Sequence, residues 1–484
     1  MKYFVLAAGF VFIFCTRSLN AQSPDTAWTK TIGGTDYDLG YSVQQTNDGG
    51  YIIAGYTESY GAGDYDVYLI KTDSSGDTLW TRTFGGTEYD PGFSVQQTTD
   101  GGYVVAGSTN SYGGSSDIYL IKTDSGGDTT WTRAFGGTDY DAGYFVQQTN
   151  DEGYIITGLT LSYGAGGADV YLIKTDSSGD TLWTKTFGGY EWEYGFSVQQ
   201  TIDDGYIVTG FTDSYGAGVD DVYLIKTDLN GDTLWTRTYG GYNHDAGYFA
   251  QQTADGGYIV AGTTESYGSG GEDVYLIKTN SGGDAMWTKI IGGTEYDGGH
   301  SIQQTIDGGY IVAGYTQSYG SGGSDVYLIK TDSSGDTLWT KTIGGIQNDT
   351  GEFIRQTADA GYIVIGSTVS YGAGYSDIYL IKLEPETGIE LEAVENPLVA
   401  LESIDPNPFS SDLSITCSIP DQTRVELAIF DLSGRLVEEL INDQLPAGSH
   451  TSMWSPSQDM PNGCYLVVLD AAGHHEVGKC LKLN

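Results

Sequence analysis

A ring-bearing side chain directly before a carboxylate suits sugar binding, because a flat apolar face then lies beside hydrogen-bond acceptors. Such a dipeptide recurs every 51 or 52 residues along this chain. Its copies are Tyr37-Asp38, Tyr89-Asp90, Tyr140-Asp141, Trp192-Glu193, His244-Asp245, Tyr296-Asp297 and Asn348-Asp349, the last of which lacks a ring. A Ser-Tyr-Gly tripeptide, first seen at Ser59-Tyr60-Gly61, keeps the same period. The pattern predicts a surface that binds a neutral sugar or a lysine-rich peptide.

A structural interpretation of the same residues stays open. Each tyrosine can pack on a neighbouring repeat, and aspartate commonly accepts hydrogen bonds from backbone amides in turns. Strict repetition favours this interpretation, since a residue that is present in every copy serves every copy alike.

The copies differ at a few positions, and these are the positions where an asymmetric binding site would show. The departures are Glu191, Trp192 and Glu193 in the fourth copy, His244 in the fifth, His300 in the sixth, and Glu352 and Arg355 in the seventh, where Arg355 replaces a glutamine. We predict that ligand is bound by Tyr37, Asp38, Tyr89, Asp90, Tyr140, Asp141, Trp192, Glu193, His244, Tyr296 and Arg355. Plain drift of duplicated copies explains the departures equally well.

Glycan hydrolysis is the enzymatic alternative. It requires two carboxylates that face each other across the substrate, and Glu191 and Glu193 are the candidates, one of them acting with Asp38 or Asp349 across the ring. The chain has no His-Glu-x-x-His zinc motif and no Gly-x-Ser-x-Gly nucleophile motif. No metal or cofactor is predicted, and calcium has only weak support, because the Asp-Ser-Ser-Gly-Asp turns lack the ligand spacing of a calcium loop.

The elements that position these residues follow from the same period. Within one repeat, turns at Asn47-Asp48-Gly49-Gly50 and at Asp73-Ser74-Ser75-Gly76-Asp77 separate segments rich in β-branched and aromatic residues, which predicts two hairpins. Four short antiparallel strands per repeat are typical of a propeller blade. We therefore predict an all-β fold, a seven-bladed β-propeller of four-stranded blades with a small C-terminal β-sandwich.

Tryptophans mark the outermost strand of each repeat. They are Trp28, Trp80, Trp131, Trp183, Trp235, Trp287 and Trp339. Because the chain opens on a fragment that elsewhere ends a repeat, we predict that Asp25 to Ile32 supplies the outer strand of the last blade, whose other strands come from Phe353 to Leu383. The Asp-x-x-Gly-x-x-x-Trp run resembles the tryptophan-docking repeat of quinoprotein-type propellers. The resemblance implies packing of tryptophan between blades, and nothing else indicates a quinone cofactor.

Charge and the first residues indicate an exported protein. Residues 1–21 combine Lys2, an apolar run and a small residue at Ala21, which predicts a secretory signal peptide. The remainder carries 19 basic against 64 acidic residues, a net charge of −45. Such a chain repels nucleic acid and anionic membranes, so we expect neither nucleic-acid binding nor membrane insertion. The acidity is explained by solubility outside the cell, and binding of divalent cations or sugars is the alternative.

The last 80 residues form a separate pattern. In order they contain Asp405-Pro406-Asn407-Pro408, the turn Asp431-Leu432-Ser433-Gly434-Arg435, Gly463-Cys464-Tyr465, and a final segment from Lys479 to Lys482. This order resembles the C-terminal sorting domain of type IX secretion substrates, an immunoglobulin-like sandwich. By that resemblance Asn407, Pro408, Gly434, Gly463, Lys479 and Lys482 are sorting residues, and the outer-membrane secretion machinery is the partner. An ordinary immunoglobulin-like accessory domain is the alternative.

The predicted organisation is a signal peptide at 1–21, a propeller at 22–383, a linker at 384–402 and a sorting domain at 403–484. The predicted function is that of a secreted or surface-displayed monomer that binds an extracellular glycan or protein through the loop-rich face of the ring. A polysaccharide-degrading glycoside hydrolase on the same ring is one alternative, and a structural surface or adhesin component is the other.

Overall fold

The computed structural model describes residues 22–113, 115–386, 400–405, 409, 411–419, 422–431, 436–457, 460, 463–471 and 474–482. The predicted signal peptide, 1–21, lies outside these ranges. The chain forms two compact units, which divide between residues 387 and 388. Within the described ranges every regular element is a β-strand, and none is a helix that could cross a bilayer.

The first unit is built from 28 strands. In chain order they are β1 (Thr26–Ile32), β2 (Asp38–Gln45), β3 (Tyr51–Thr57), β4 (Asp66–Thr72), β5 (Thr78–Phe84), β6 (Gly92–Gln97), β7 (Tyr103–Thr109), β8 (Asp117–Thr123), β9 (Thr129–Phe135), β10 (Asp141–Gln148), β11 (Tyr154–Thr160), β12 (Asp169–Thr175), β13 (Thr181–Phe187), β14 (Glu193–Gln200), β15 (Tyr206–Thr212), β16 (Asp221–Thr227), β17 (Thr233–Tyr239), β18 (Asp245–Gln252), β19 (Tyr258–Thr264), β20 (Asp273–Thr279), β21 (Ala285–Ile291), β22 (Asp297–Gln304), β23 (Tyr310–Thr316), β24 (Asp325–Thr331), β25 (Thr337–Ile343), β26 (Asp349–Gln356), β27 (Tyr362–Thr368) and β28 (Asp377–Leu383).

These strands form seven antiparallel four-stranded sheets, which are the blades. Blades 1 to 6 take four consecutive strands each, from β2–β5 to β22–β25, and blade 7 has the order β1-β28-β27-β26. We name the strands of a blade a to d from the centre outward. The predicted seven-bladed propeller, with an N-terminal strand that completes the last blade, is confirmed.

The burial of a strand depends on its position within the blade. The middle strands b and c are buried on both faces, as in β3 and β4, because each blade packs between two others. Strand d alternates between exposed and half-buried positions, as in β5. The hairpin turns need a positive φ, which Gly49 and Gly76 supply at 84° and 78°. Apolar side chains on adjacent blades thus form a series of hydrophobic clusters around the ring.

Each tryptophan of strand d packs on the next blade, as the docking resemblance implies. A Cβ placed on Gly127 would lie 2.6 Å from the Trp80 ring, so only glycine leaves room for it. Trp28 makes the equivalent contact with Gly76 of blade 1, and its ring lies 6.0 Å from that of Tyr51. Because β1 also pairs with β28 of blade 7, Trp28 joins the two ends of the ring.

Every strand a contains a bulge at the same place, and this bulge shapes the channel. In blade 1, Gly40 is opposite Gly55 and Ser42 is opposite Ala54, so Tyr41 has no partner in the ladder. A bulge turns the extra side chain out of the regular alternation. Gly55 is required there, since a Cβ at this position would lie 1.8 Å from the Leu39 carbonyl oxygen.

The second unit is a two-sheet structure with strand orders β29-β30-β33 and β32-β31-β34-β35. Its strands are β29 (Ala400–Asp405), β30 (Leu413–Ile419), β31 (Thr423–Asp431), β32 (Leu436–Leu445), β33 (Gly448–Trp454), β34 (Gly463–Ala471) and β35 (His474–Lys482). Trp454 is fully buried between Phe409 and Tyr465. This strand-rich unit agrees with the predicted C-terminal β-sandwich.

The sorting residues divide between described and undescribed positions. Asn407, Pro408 and Gly434 lie outside the described residues. Gly463 is the first residue of β34, where it pairs in register with Lys482 of β35. Lys482 is buried, and Lys479 lies three residues before it on the same strand.

Candidate functional site

The seven loop carboxylates lie inside the blades rather than on the loop surface. Asp90 is fully buried, and its two oxygens accept hydrogen bonds from the Thr109 and Ser111 hydroxyls and from the Gly86 amide at 2.7 Å. Asp38, Asp141, Glu193, Asp245, Asp297 and Asp349 occupy the equivalent buried positions. These carboxylates hold the loop between strands d and a against the loop between strands b and c. The geometry therefore supports the structural interpretation for this half of each dipeptide.

Glu193 and Glu191, the hydrolase candidates, have different environments. Glu193 accepts hydrogen bonds from the Thr212 hydroxyl at 2.8 Å, the Ser214 amide at 2.9 Å and the Gly189 amide at 2.8 Å. Glu191 is exposed on the loop. The pair therefore does not face a common space.

Glu193→Gln is expected to lower the free energy of unfolding by about 1–3 kcal/mol, because one donor would then face an amide NH₂ in place of an oxygen. Glu191→Gln, the matched exposed variant, is expected to change it by less than about 0.5 kcal/mol. Chemical denaturation followed by tryptophan fluorescence measures both. Loss of a glycan-directed activity with unchanged stability in Glu193→Gln would contradict the framework role.

The rings that precede these carboxylates are half-exposed around one face of the propeller. Their exposed fractions lie between 38% and 48%, and the residues are Tyr37, Tyr89, Tyr140, Trp192 and Tyr296. His244 lies on the same face, where its Nδ1 is 2.7 Å from Asp220 Oδ2. The hydrogen bond that His244 donates to the Asp220 carboxylate raises the pKa of His244 above its ordinary value. The outer rim therefore presents half-exposed aromatic rings, whereas the carboxylates that follow them in sequence are buried.

A second circle of aromatic side chains lies nearer the axis of the propeller, and the predicted site does not include it. The bulged residues of blades 1 to 5 form it, and we call it the aromatic belt: Tyr41, Phe93, Tyr144, Phe196 and Tyr248. Neighbouring ring centroids lie 5.2–5.6 Å apart all along the belt. The belt lines a chamber of about 290 Å³, which we call the mouth chamber.

Blades 6 and 7 complete the mouth chamber with an ion pair. His300 and Glu352 take the two remaining bulged positions, and His300 Nδ1 lies 2.8 Å from Glu352 Oε2. Burial opposes the charge on His300, but Glu352 outweighs it and raises the imidazole pKa above its ordinary value. Burial likewise opposes ionisation of Glu352, and His300 nevertheless holds its pKa below the ordinary value. Both shifts favour the charged forms, in which the imidazolium of His300 and the carboxylate of Glu352 neutralise each other.

A further carboxylate lies beside this pair. Glu272 Oε2 accepts a hydrogen bond from the Tyr315 hydroxyl at 2.7 Å, and the Tyr315 ring lies 5.4 Å from His300. The charge of Glu272 also favours protonated His300. Polar groups are thus gathered on the side of blades 5 to 7, opposite an apolar wall.

Arg355 lies in the channel of the propeller, away from the other predicted ligand residues, which lie on the outer rim or inside the blades. Below the mouth chamber, Phe145, Phe249 and Phe353 narrow the channel, with centroid distances of 5.6 and 5.5 Å between neighbours. Beyond them is a space of about 220 Å³, lined by Arg355 and by glutamines of the other blades, which we call the amide chamber. The structure therefore separates Arg355 from the rim and from the mouth chamber.

No three of the His, Cys, Asp and Glu side chains in the described ranges lie close enough to hold a metal ion together. The acidic loop turns serve the backbone: Asp73 Oδ1, for example, accepts the amides of Ser75 and Asp77 at 2.9 Å each.

Comparison with known proteins gives two family matches. Residues 403–482 match the Secretion system C-terminal sorting domain, and residues 98–129 match a β-propeller domain of unknown function, DUF5122. Among curated proteins, the chain is 27% identical over 365 residues to the Regulatory protein FlaEY of Caulobacter vibrioides. That alignment covers 67% of this chain and 36% of FlaEY, so the chain spans about a third of its relative's length.

Solved structures are similar at low identity. A fungal alcohol oxidase of the AA5 family in complex with copper has a TM-score of 0.47 at 11% identity, covering 96% of this chain and all of that one. Sqt1 from Chaetomium thermophilum has a TM-score of 0.41 at 10% identity, covering 95% and 99% of the two chains. A puromycin hydrolase has a TM-score of 0.43 at 10% identity, covering 81% and 62%.

The sorting-domain match is consistent with interaction between the tail and the secretion machinery. It indicates export by the type IX system. This chain is therefore a β-propeller protein with a C-terminal type IX sorting domain, delivered to the cell surface or secreted.

Proposed function

We propose that the propeller binds a neutral extracellular glycan in the mouth chamber. The observation that carries this proposal is the aromatic belt, which presents apolar rings on one side of the chamber and a polar cluster on the other. Sugar rings combine apolar C–H faces with hydroxyl groups, so they match a surface of this kind. A chamber of about 290 Å³ suits a single sugar unit of a longer chain.

The polar cluster favours a neutral ligand over a lysine-rich peptide. Glu352 is paired with His300, and the pair as a whole has no net negative charge to attract a lysine ammonium. The tyrosines of the belt stay neutral donors, because burial raises the pKa values of Tyr41 and Tyr144 above the ordinary range. Neutral hydroxyls and a self-compensated ion pair hydrogen-bond to sugar hydroxyls without favouring a charged partner.

Hydrolysis receives less support from the same residues. A general acid needs a raised carboxyl pKa, whereas the pKa of Glu352 is held below its ordinary value. Release of reducing ends from soluble polysaccharides by the wild-type protein, abolished in Glu352→Gln, would favour the hydrolase over the binding protein.

Phe196→Ala is expected to weaken glycan binding by about tenfold or more, since a central aromatic contact would be lost. Tyr242→Ala is the matched control, because this ring is 85% exposed and lies outside the belt. A glycan array identifies the ligand, and calorimetry with the mature chain measures the affinity. Equal affinities of the two variants would count against the mouth chamber, and no binding to any glycan would favour a structural surface role.

We further propose that residues 22–383 form the binding part, that 384–402 link it to the tail, and that 403–484 carry the sorting function. The protein acts as a monomer in this proposal, because the ring already closes on itself. Secretion that continues without residues 403–484 would contradict this division of labour.

A further inference from the structure

The amide chamber presents a ring of hydrogen-bond donors. In six blades a strand-a glutamine accepts the backbone N–H of the next blade through its side-chain oxygen, at 2.6–2.7 Å. These glutamines are Gln44, Gln96, Gln147, Gln199, Gln251 and Gln303, and all of them except Gln303 line the amide chamber. Because a backbone N–H can only donate, the carboxamide oxygen must face it, and the NH₂ group is the part left for the chamber. The hydrogen bonds of the described residues include no acceptor for these NH₂ groups.

The seventh position of this ring is Arg355. Its guanidinium lies over Phe353, 4.0 Å from the ring centroid, and 5.0 Å from that of Phe249. Nη1 donates to the Ile354 carbonyl at 3.0 Å, which leaves most of the five N–H donors unused. Burial lowers the pKa of Arg355 to about 9, so the group is still protonated at neutral pH.

Arg355 also lacks the partner that other basic residues have. Of the 15 lysines and arginines between residues 22 and 386, 13 form ion pairs with aspartate within the described ranges. The other two are Lys341, whose ammonium donates to the Pro24 carbonyl, and Arg355. A cation that faces a cavity without a carboxylate, in a protein with a net charge near −45, is an anion site by its chemistry.

We propose that the amide chamber binds a carboxylate-bearing monoanion of up to sugar-acid size. The planar guanidinium matches a planar carboxylate, and the surrounding NH₂ donors match both carboxylate and hydroxyl oxygens. A monoanion is favoured over dianionic phosphate, because repulsion by the acidic protein grows with ligand charge. A volume of about 220 Å³ admits a ligand of this size. The amide chamber shares Phe145, Phe249 and Phe353 with the mouth chamber, but Arg355 and the glutamines line the amide chamber alone.

The sequence itself supplies the decisive variant. Arg355→Gln restores the residue that the other six blades have, so the variant is expected to fold and to gain a carboxamide acceptor for the Gln45 amide. Arg355→Lys keeps the charge without the planar fork. Arg82→Gln is the control, because Arg82 pairs with Asp128 on an outer strand far from the channel.

Calorimetry on the mature chain with D-glucuronate, acetate and D-glucose tests the proposal. Glucuronate and acetate are expected to bind the wild type and Arg82→Gln, with affinity reduced about tenfold or more in Arg355→Gln and by less in Arg355→Lys. A further titration with trigalacturonate distinguishes two sources of the carboxylate. Binding of this oligomer supports a carboxylate carried by a polymer, and binding of glucuronate alone supports a free acid.

Equal glucuronate affinity in wild type and Arg355→Gln would overturn the proposal, as would equal affinity for glucuronate and glucose. Each of the two proposed sites can be disproved without affecting the other. Phe196→Ala is expected to leave glucuronate binding unchanged, and Arg355→Gln is expected to leave binding of the neutral glycan unchanged.

Discussion

Deletion of Thr26–Ile32 is expected to lower the free energy of unfolding of the propeller by about 5 kcal/mol or more. This strand forms six register pairs with β28, and the backbone hydrogen bonds of the ladder are worth about 1 kcal/mol apiece. The deletion also removes the Trp28 contact with Gly76 and the ion pair between Lys30 and Asp77. A loss of this size approaches the total stability of many domains. It would expose β28 as an edge strand, so aggregation is expected as well.

Chemical denaturation and amide hydrogen exchange in blade 7 measure this effect. Trp28→Ala in the full-length chain is the matched control, because it removes the half-buried ring and leaves the backbone pairing in place. The deletion must cost clearly more than the control. Unchanged unfolding, or a deletion no worse than Trp28→Ala, would contradict closure of the ring by β1.

Blade construction could be predicted from local signals repeated in every copy, and closure could be predicted from the phase of those repeats. The turn Asn47-Asp48-Gly49-Gly50 needs a positive φ, which the structure has at Gly49. The offset of Trp28 from the first complete repeat predicted its place in blade 7. The turn requires only the neighbours of Gly49 along the chain, and the place of Trp28 requires only comparison of the repeats with one another.

The site was harder to predict because it depends on the direction of side chains. Asp38 and Tyr37 are adjacent in sequence, yet the carboxylate is buried in the blade and the ring is half-exposed at the rim. The bulge at Tyr41 reverses the simple alternation of a strand, so counting residues does not place Tyr41 in the channel. The departures at His300 and Glu352 were noticed in the sequence. Their contact at 2.8 Å required two blades to be placed side by side.

Seven lysines at the ends of the c strands form a ring of buried ion pairs on the side of the a–b turns. Each ammonium also donates to the carbonyl of the next residue, as Lys330 does to Thr331 at 3.1 Å. Lys330 is entirely buried, and its partner Asp307 is 25% exposed, whereas Asp48, the partner of Lys71, is 60% exposed. Water can therefore replace the carboxylate near Lys71 far more readily than near Lys330.

Asp307→Asn is expected to lower the free energy of unfolding by about 3 kcal/mol, because the Lys330 ammonium would remain buried without its countercharge. Asp48→Asn is expected to cost about 1 kcal/mol, since the more exposed pair is screened by solvent. Both are measured by chemical denaturation at pH 7. Equal costs would show that burial of the lysine does not set the strength of these pairs.

The pH dependence gives the same ion pairs a second, independent test. Burial opposes ionisation of Asp307, but hydrogen bonds from Lys330 and Thr305 hold its pKa below the ordinary value, and the pKa of Asp48 is lowered to about 2. A lowered carboxyl pKa contributes stability above the unfolded-state pKa near 4, and this contribution is lost as the pH falls towards the folded-state value. Wild-type stability attributable to these pairs should therefore decline between about pH 4 and pH 2. In Asp307→Asn that decline should be smaller than in wild type, because one carboxylate that must be protonated is already absent. If the free energy of unfolding declined equally with acid in the two proteins, Asp307 would not be linked to Lys330 in the folded state.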